Sequence, residues 1–394
     1  MKPQEIVIVA AKRTPIGAFL GQFSGTLAHE LGAAAINAAV SDSTAKPDEI
    51  DEVIMGCVLS AGLGQAPARQ AALNAGLSIT TPCTTINKVC GSGMKSVMQG
   101  SDAIMAGSAN IVVAGGMESM SRAPYLAPNT RQGARFGHTE LLDHMLFDGL
   151  QNASDGKAMG IFAEQCAAHF NFSRKQLDAF TVESVNRAMA ACGNGAFTDE
   201  LTAVNIKTRS GQEQITTDET PTRCRPDKIP ALKPAFKKDG VITAANSSSI
   251  SDGAAALVLM SADEAKARNI TPLARIVAHS SHAMLPEEFT LAPIHAINKL
   301  YQKCNWSNND VDLYEINEAF AAVTMGVMHE LKLDHAKVNV NGGACALGHP
   351  IGASGTRIIV TLLHALRVRG KQRGIASLCI GGGEATAIAI EITT

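Results

Sequence analysis

The sequence predicts an α/β fold in which one α/β unit is used twice and a loop domain is inserted between the copies. Three observations carry that expectation. Short apolar runs alternate with longer helical stretches along most of the chain. Two distant segments repeat one order of elements: Asp51 precedes Cys90 by 39 residues and Asp312 precedes His349 by 37, and each stretch ends in a glycine-bearing turn at a helix start. The length, 394 residues, exceeds what one hydrophobic core usually serves.

The elements follow in order. Ile6–Ala11 (IVIVAA) is a buried strand, with no signal or transit peptide read before it. The alanine-rich 27–40 stretch is a helix, 51–58 (DEVIMGCV) a strand, and 94–105 a helix. NIVVA at 110–114 is a strand that Gly115-Gly116 should stop. From 121 to 152 the chain carries Pro124, Pro128, Arg131 and Arg135 and reads as an irregular excursion. Ser173-x-x-Gln176 is a capping box opening a helix to about 191. The 218–236 stretch is proline- and charge-rich loop, and 241–260 returns from loop to strand. The second unit has strands at 312–316, 338–340, 374–380 and 385–392, with helices at 319–331 and 356–368. The expected domains are 1–120 with about 251–270, an inserted 121–250, and 271–394, with strand-end loops of both units meeting at one seam.

Composition narrows the function. Thirty-four basic against 36 acidic residues argue against a general nucleic-acid binder or a polybasic membrane binder. No apolar run approaches the ~20 residues of a membrane span. Nine scattered cysteines without a CxxC pair speak against zinc and thioredoxin-type chemistry and against an oxidising compartment, so the expected location is the cytoplasm. No cluster at metal-ligand spacing is present, so no metal is expected.

Four loops carry residues suited to chemistry. Cys90, in Asn87-Lys-Val-Cys-Gly-Ser-Gly, sits at a helix start, where the dipole lowers a thiol pKa from about 8.5 and small neighbours admit a substrate; it equally suits a buried small hydrophobe. His349, between Gly348 and Pro350 in a glycine-dense loop, is held more rigidly than a packed core histidine usually is. Cys379 ends a strand before Gly381-Gly382-Gly383, whose N–H groups suit an oxyanion hole or merely a tight turn. Asn317 fits a helix N-cap, or an amide that holds a water or polarises a carbonyl.

Taken together, these loops resemble the thiolase superfamily, and within it the acetyl-CoA C-acetyltransferases, over essentially the whole chain. Further matches are the stretches 8–19, 114–121 (AGGMESMS), 232–236 (LKPAF) and 246–256 (NSSSISDGAAA). The resemblance implies a layered α-β-α-β-α fold, acyl-CoA and CoA as partners, no cofactor beyond these thioester substrates, and a homotetramer tied together through the 121–150 excursion. It implies Cys90 as the acylated nucleophile, and His349 as its base and, with Asn317, as one oxyanion site. Cys379 becomes the acid/base at the second substrate, and the N–H groups of Cys90 and Gly381 a second oxyanion site. It further implies substrate contacts from Met159, Arg223 (or Arg225), Phe236, Ala244, Ser248, Phe289 and Phe320. The chain departs at Ala158, where relatives usually place histidine, and at Phe289-Thr290, where they place Met-Gly. A CoA- or lipid-binding protein that kept the fold and lost catalysis is the competing reading; retention of all four side chains argues against it. A ketoacyl-ACP synthase would lack the second cysteine.

Overall fold

The computed structural model describes residues 4–208 and 211–393; residues 1–3, 209–210 and 394, on which the outermost expected domain limits fall, lie outside them. The chain opens with β1 (Ile6–Arg13), β2 (Gly17–Ala18), α1 (Ala28–Ser43), β3 (Glu52–Gly56), α2 (Pro67–Asn74), β4 (Cys83–Ile86), α3 (Ser92–Met105) and β5 (Ile111–Ser119). It then leaves the sheet through β6 (Tyr125–Leu126), β7 (Leu142–Asp143), α4 (Met159–His169), α5 (Arg174–Gly193), the β8 (Val204–Thr208) and β9 (Gly211–Ile215) hairpin, and α6 (Glu219–Arg223). It re-enters as β10 (Ser251–Ser261), followed by α7 (Ala262–Ala267), β11 (Ala274–Ala283), α8 (Ala292–Cys304) and β12 (Leu313–Ile316). The last elements are α9 (Ala321–Leu331), α10 (Ala344–Leu347), α11 (Ile351–Val368), β13 (Arg373–Ile380) and β14 (Glu384–Ile392).

The large sheet runs β12-β13-β14-β11-β1-β10-β5-β3-β4, with β2 on β10. Its two halves join through three residue pairs, from Ile6↔Ile276 to Ile8↔Ala274. In the first half β3 is parallel to β4 and β5 while β10 is antiparallel to β5. In the second, β13 is parallel to β12 and antiparallel to β14. The repeat read from the sequence is therefore a repeat of pairing pattern as well.

Alternation of side chains sorts each half into two faces. Val113 and Val258 face α1 and α2, with Leu31, Ile36 and Ala71. Their neighbours Val112 and Leu257 face the opposite way, onto Met94 and Val97 of α3 and Ile358 and Leu362 of α11. Leu378 and Ile388 of the second half reach the same inner layer. Ile375 and Ala387, at alternate positions of the same two strands, turn outward to Ile297 of α8 and Val327 of α9. Helices thus lie outside, between and outside the two half-sheets, giving five layers. Helix α11 is long and apolar enough to cross a membrane by length and composition, and it forms part of the buried central layer.

Four local expectations are corrected. β5 does not stop at Gly115-Gly116 but continues to Ser119. A Cβ at Gly116 would lie 2.1 Å from the Gly352 carbonyl oxygen, so the glycine admits the start of α11 instead of ending the strand. The 338–340 run makes a single bridge, Val338 to Tyr314, and no strand. Asn339 takes a positive φ of 47°, and its side chain replaces the missing backbone pairing: Ile316 N–H donates to Oδ1 and Nδ2 donates to Ile316 O, each at 2.8 Å. Helix α11 begins at Ile351, directly after Pro350, five residues before the expected start. Asn317 is not an N-cap, because α9 begins at Ala321 with Phe320 in the capping position.

The long excursion is fastened to β1 by buried charge. Arg13 Nη1 and Nη2 meet both oxygens of Asp218 at 2.7 and 2.9 Å, Arg13 Nε meets Glu200, and all three side chains are fully buried. Removing one partner strands the others without water, so Arg13→Met should lower unfolding stability by about 3–5 kcal/mol. Denaturant titration reads this as a shifted midpoint; a shift within error would show that the excursion is held by other contacts.

Candidate active site

The site forms where the first turns of α3 and α11 cross. The contact is close: a Cβ on Gly93 would lie 2.8 Å from Thr356 N, and one on Gly355 would lie 2.3 Å from Met94 N. Thr356 Oγ1 donates to Gly93 O at 2.8 Å and locks the crossing. The loops that enter these two helices carry Cys90 and His349, and the crossing brings them to one cavity of about 440 Å³. Cys379 and Gly381, from the end of β13 and the turn after it, line the same cavity.

The nucleophile loop is held by its own hydrogen bonds. Ser92 Oγ accepts from Lys88 N at 2.8 Å and donates to Val89 O at 2.7 Å, and Asn87 Oδ1 accepts from Val89 N at 2.9 Å. Val89, a β-branched residue, is forced to a φ of 46°. Burial pushes the Cys90 thiol up to about 11, while the N–H groups of Gly381 and of Cys90 itself pull it back. This corrects the sequence expectation: desolvation outweighs the helix start, and Cys90 rests as a thiol. The same two N–H groups are those expected to form an oxyanion site. Cys379 is 1% exposed and its thiol is pushed well up by burial and then by the nearby Cys90.

His349 is buried, and burial followed by the charge of Arg357 pushes its pKa down to about 3, so it is neutral. Its Nδ1 lies 2.6 Å from Ser354 Oγ, which donates its own proton to Pro350 O at 2.9 Å. The hydroxyl can therefore only accept from Nδ1–H, which leaves Nε2 without a proton and able to take one. Asn317 Nδ2 lies 3.4 Å from that Nε2, and Asn317 Oδ1 is buried without a partner among the described residues.

Met159, Phe236, Ala244, Ser248, Phe289 and Phe320 all line the cavity. Ser248 Oγ donates to Ala319 O at 3.0 Å, and Phe289 packs edge-on against Phe162. Arg223 is not part of the wall: it is exposed and paired with Glu219, four residues earlier on α6, whose Oε2 is fixed by the Ala18 and Gln22 N–H groups. Arg225, its alternative, is exposed beside Asp227. Asn317 is not on the wall and reaches the site through its contact with His349 Nε2.

Three contributions escaped the sequence reading. Ser354 sets the histidine tautomer. Glu118, fully buried, accepts from Val58 N, Leu59 N and Gly352 N at 2.9–3.1 Å and pins the start of α11 to the end of β3; burial raises its carboxyl to about 7. A carboxylate inside an otherwise apolar, glycine-bearing strand was the available signal. Leu146 and Leu150 line the cavity from the excursion, which the sequence reads as part of a loop domain covering the seam without singling out these two residues. Among the described residues, no group of three or more His, Cys, Asp or Glu side chains is placed to hold a metal ion.

With the thiol raised to about 11, thiolate should grow steadily with pH in the unliganded protein. Alkylation of Cys90 by iodoacetamide should rise about tenfold per pH unit between about pH 7 and 9. A plateau below about pH 8 would mean that the thiolate is already formed at rest.

The family descriptions "Thiolase, N-terminal domain" and "Thiolase, C-terminal domain" match residues 6–263 and 270–392. The chain is 48% identical over 389 residues to an acetyl-CoA acetyltransferase of Pseudomonas aeruginosa, covering 98% of this chain and 99% of that one. It is 46% identical over 387 residues to a probable acetyl-CoA acyltransferase of Staphylococcus aureus, covering 98% of each. The crystal structure of the Bacillus anthracis acetyl-CoA acetyltransferase superposes with a TM-score of 0.97 at 41% identity over 99% of both chains. With both halves of the sheet matched and near-complete coverage on each side, this chain belongs to the thiolase family.

Proposed function

We propose that this protein is an acetyl-CoA C-acyltransferase that joins two acyl-CoA thioesters by Claisen condensation, and in reverse cleaves a 3-ketoacyl-CoA with CoA, through an acyl-Cys90 intermediate. The observation that carries the proposal is the meeting of Cys90, His349, Cys379 and Gly381, from separate loops of both units, on one cavity wall.

The chemistry follows from the protonation states. His349 Nε2 takes the Cys90 proton as the sulfur attacks the thioester carbonyl; the bond to CoA sulfur breaks, and Cys379, kept as a thiol by burial, protonates the leaving CoA thiolate. CoA departs and a second acyl-CoA enters. The Cys379 thiolate, a strong base because its pKa is raised, removes the α-proton. Protonated His349, with Asn317 acting through a water, holds the enolate oxygen. The α-carbon attacks the acyl-Cys90 carbonyl, whose developing charge falls on the N–H groups of Cys90 and Gly381. The carbon–sulfur bond to Cys90 breaks and His349 returns the proton. Two thioesters become one 3-ketoacyl-CoA and one CoA, with every proton accounted for.

In this reading Met159, Phe236, Ala244, Ser248, Phe289 and Phe320 border the acyl group and pantetheine arm, and exposed Arg223 meets the solvent-side end of CoA. The reading includes a homotetramer, supported by Tyr125, Phe136 and Leu141, large apolar side chains exposed on the excursion. It includes a cytoplasmic location, supported by nine free cysteines, and activity without metal or redox cofactor. It keeps three domains, 1–120 with 251–270, 121–250 and 271–394, supported by the return of the chain to the first half-sheet at β10. A role in fatty acid metabolism follows from the acyl-CoA chemistry.

Brief exposure to acetyl-CoA should add one acetyl mass to the unsubstituted protein and to Cys379→Ser, and none to Cys90→Ser. Condensation by Cys379→Ser should fall by about 100- to 10,000-fold or more. An adduct on Cys90→Ser, or normal condensation by Cys379→Ser, would reject the assignment. Phe289 is 2% exposed and stiff where relatives carry flexible methionine. Phe289→Met should change the ratio of thiolysis rates between short and longer 3-ketoacyl-CoA esters; an unchanged ratio would place acyl selection elsewhere on the wall.

A further inference from the structure

The two N–H groups assigned to the acyl oxygen come from different units: Cys90 from the loop before α3, Gly381 from the turn between β13 and β14. Their spacing depends on whatever ties those loops together. Two contacts do. Gly91 lies directly under Ile380, the residue between Cys379 and Gly381; a Cβ there would sit 2.3 Å from the Ile380 Cδ1. Lys88 Nζ forms an ion pair with Glu384 Oε2 across the seam. Lys88 is two residues before Cys90, and its N–H is fixed by Ser92 Oγ at 2.8 Å. Glu384 is the first residue of β14, paired across the hairpin with Ile380. The ion pair therefore spans the strained Val89 on one side and the Gly382-Gly383 turn, with φ of 93° and 92°, on the other.

Each side has anchors within its own unit, Ser92 and Asn87 for the nucleophile loop and the Met284 N–H on Gly383 O at 2.8 Å for the turn, but those anchors do not cross the seam. A β-branched residue at positive φ relaxes if its loop is released, and a glycine turn has many accessible conformations. Lys88 and Glu384 are 23% and 37% exposed, so the pair adds little to global stability. Its effect lies where small displacements matter. Oxyanion donors act when they lie about 2.7–3.1 Å from the developing oxyanion, a narrow window, and a 1 Å error can cost ~100-fold in rate.

We propose that Lys88 and Glu384 are positioning residues: their ion pair clamps the nucleophile loop to the β13–β14 turn and sets the distance between the Cys90 and Gly381 N–H groups. This rests on the oxyanion role assigned above. The clamp differs from a direct effect of the Lys88 charge on the acyl oxygen. Under a direct effect, loss of Lys88 slows the reaction and loss of Glu384, a nearby negative charge, speeds it. Under the clamp both losses slow it alike.

The test compares the unsubstituted protein, Lys88→Met, Glu384→Gln, the double variant, and the charge-swapped pair Lys88→Glu with Glu384→Lys. Each is read by the single-turnover rate of Cys90 acetylation, by kcat and KM for condensation, and by thermal midpoint. Each single variant should lose roughly 3- to 10-fold in kcat with KM little changed, the double should be no worse than either single, and the swapped pair should regain most of the rate. Thermal midpoints should stay close to that of the unsubstituted protein. Losses that multiply in the double variant, a swapped pair no better than the singles, a loss carried by KM, or a faster Glu384→Gln each overturn the clamp. If the unsubstituted protein acetylates Cys90 and the variants match it, only the clamp fails; if the unsubstituted protein forms no adduct, the clamp falls together with the mechanism.

Discussion

Everything at the site depends on how closely two helix starts cross. Glycine at 93 and at 355 lets the first turns of α3 and α11 pass with backbone against backbone, where any side chain would collide. The crossing fixes the central layer, and through it the two half-sheets on either side, because Met94 and Val97 from one helix and Ile358 and Leu362 from the other pack onto both. The loops that feed these helices then have no freedom to separate, so Cys90 and His349 face one cavity. Glu118 adds a second constraint by holding the α11 start to the loop after β3 through three backbone N–H groups. A buried carboxylate is costly, and such hydrogen bonds are what make one tolerable.

The electrostatic consequence is a site that rests uncharged. Burial raises both thiols and lowers the histidine, so all three groups sit in their neutral forms until a thioester arrives. In the proposed reaction charge is separated only as the carbonyl oxygen receives it, with the backbone N–H groups of Cys90 and Gly381 as its donors. A permanently ionised pair would be more reactive toward alkylating and oxidising agents. A neutral resting state limits that exposure and spends the reactivity on bound substrate.

How much of this was legible in the sequence depended on whether the signal was local. Cys90, His349 and Cys379, which share one cavity, were singled out because each sits in a glycine-dense turn at a strand or helix end, a pattern visible within ten residues. The repeat of the two units was found from spacing alone, yet its last detail was not. The strand expected at 338–340 is replaced by the side chain of Asn339, which pairs with Ile316 as a neighbouring backbone would. Asn317 was read as a possible N-cap because that rule looks only at neighbours. In the fold Ala321 N–H donates to Asn246 O at 2.8 Å, from a distant loop, which frees the Asn317 amide to face His349. Strand β11 and helix α8 are missing from the expected elements, although α8 carries a helical apolar spacing at Pro293, Ala296, Ile297 and Leu300, and Leu146 and Leu150 lay in an excursion without a period. The raised Cys90 pKa could not be read because burial is a property of the assembled fold, while the helix start that opposes it is written in the motif.

The placement of Arg357 joins these threads. It is buried on α11, two turns after His349, and meets Glu315 at 3.5 Å. Its charge contributes, after burial, to the low basicity of His349. The same positive field favours any negative charge that develops nearby. One cation thus helps, after burial, to keep the imidazole neutral in the empty site. The cost is a base that accepts a proton weakly. In the proposed reaction that cost is offset when proton transfer from Cys90 is coupled to attack on the carbonyl, which would tie activation of the nucleophile to the presence of its target.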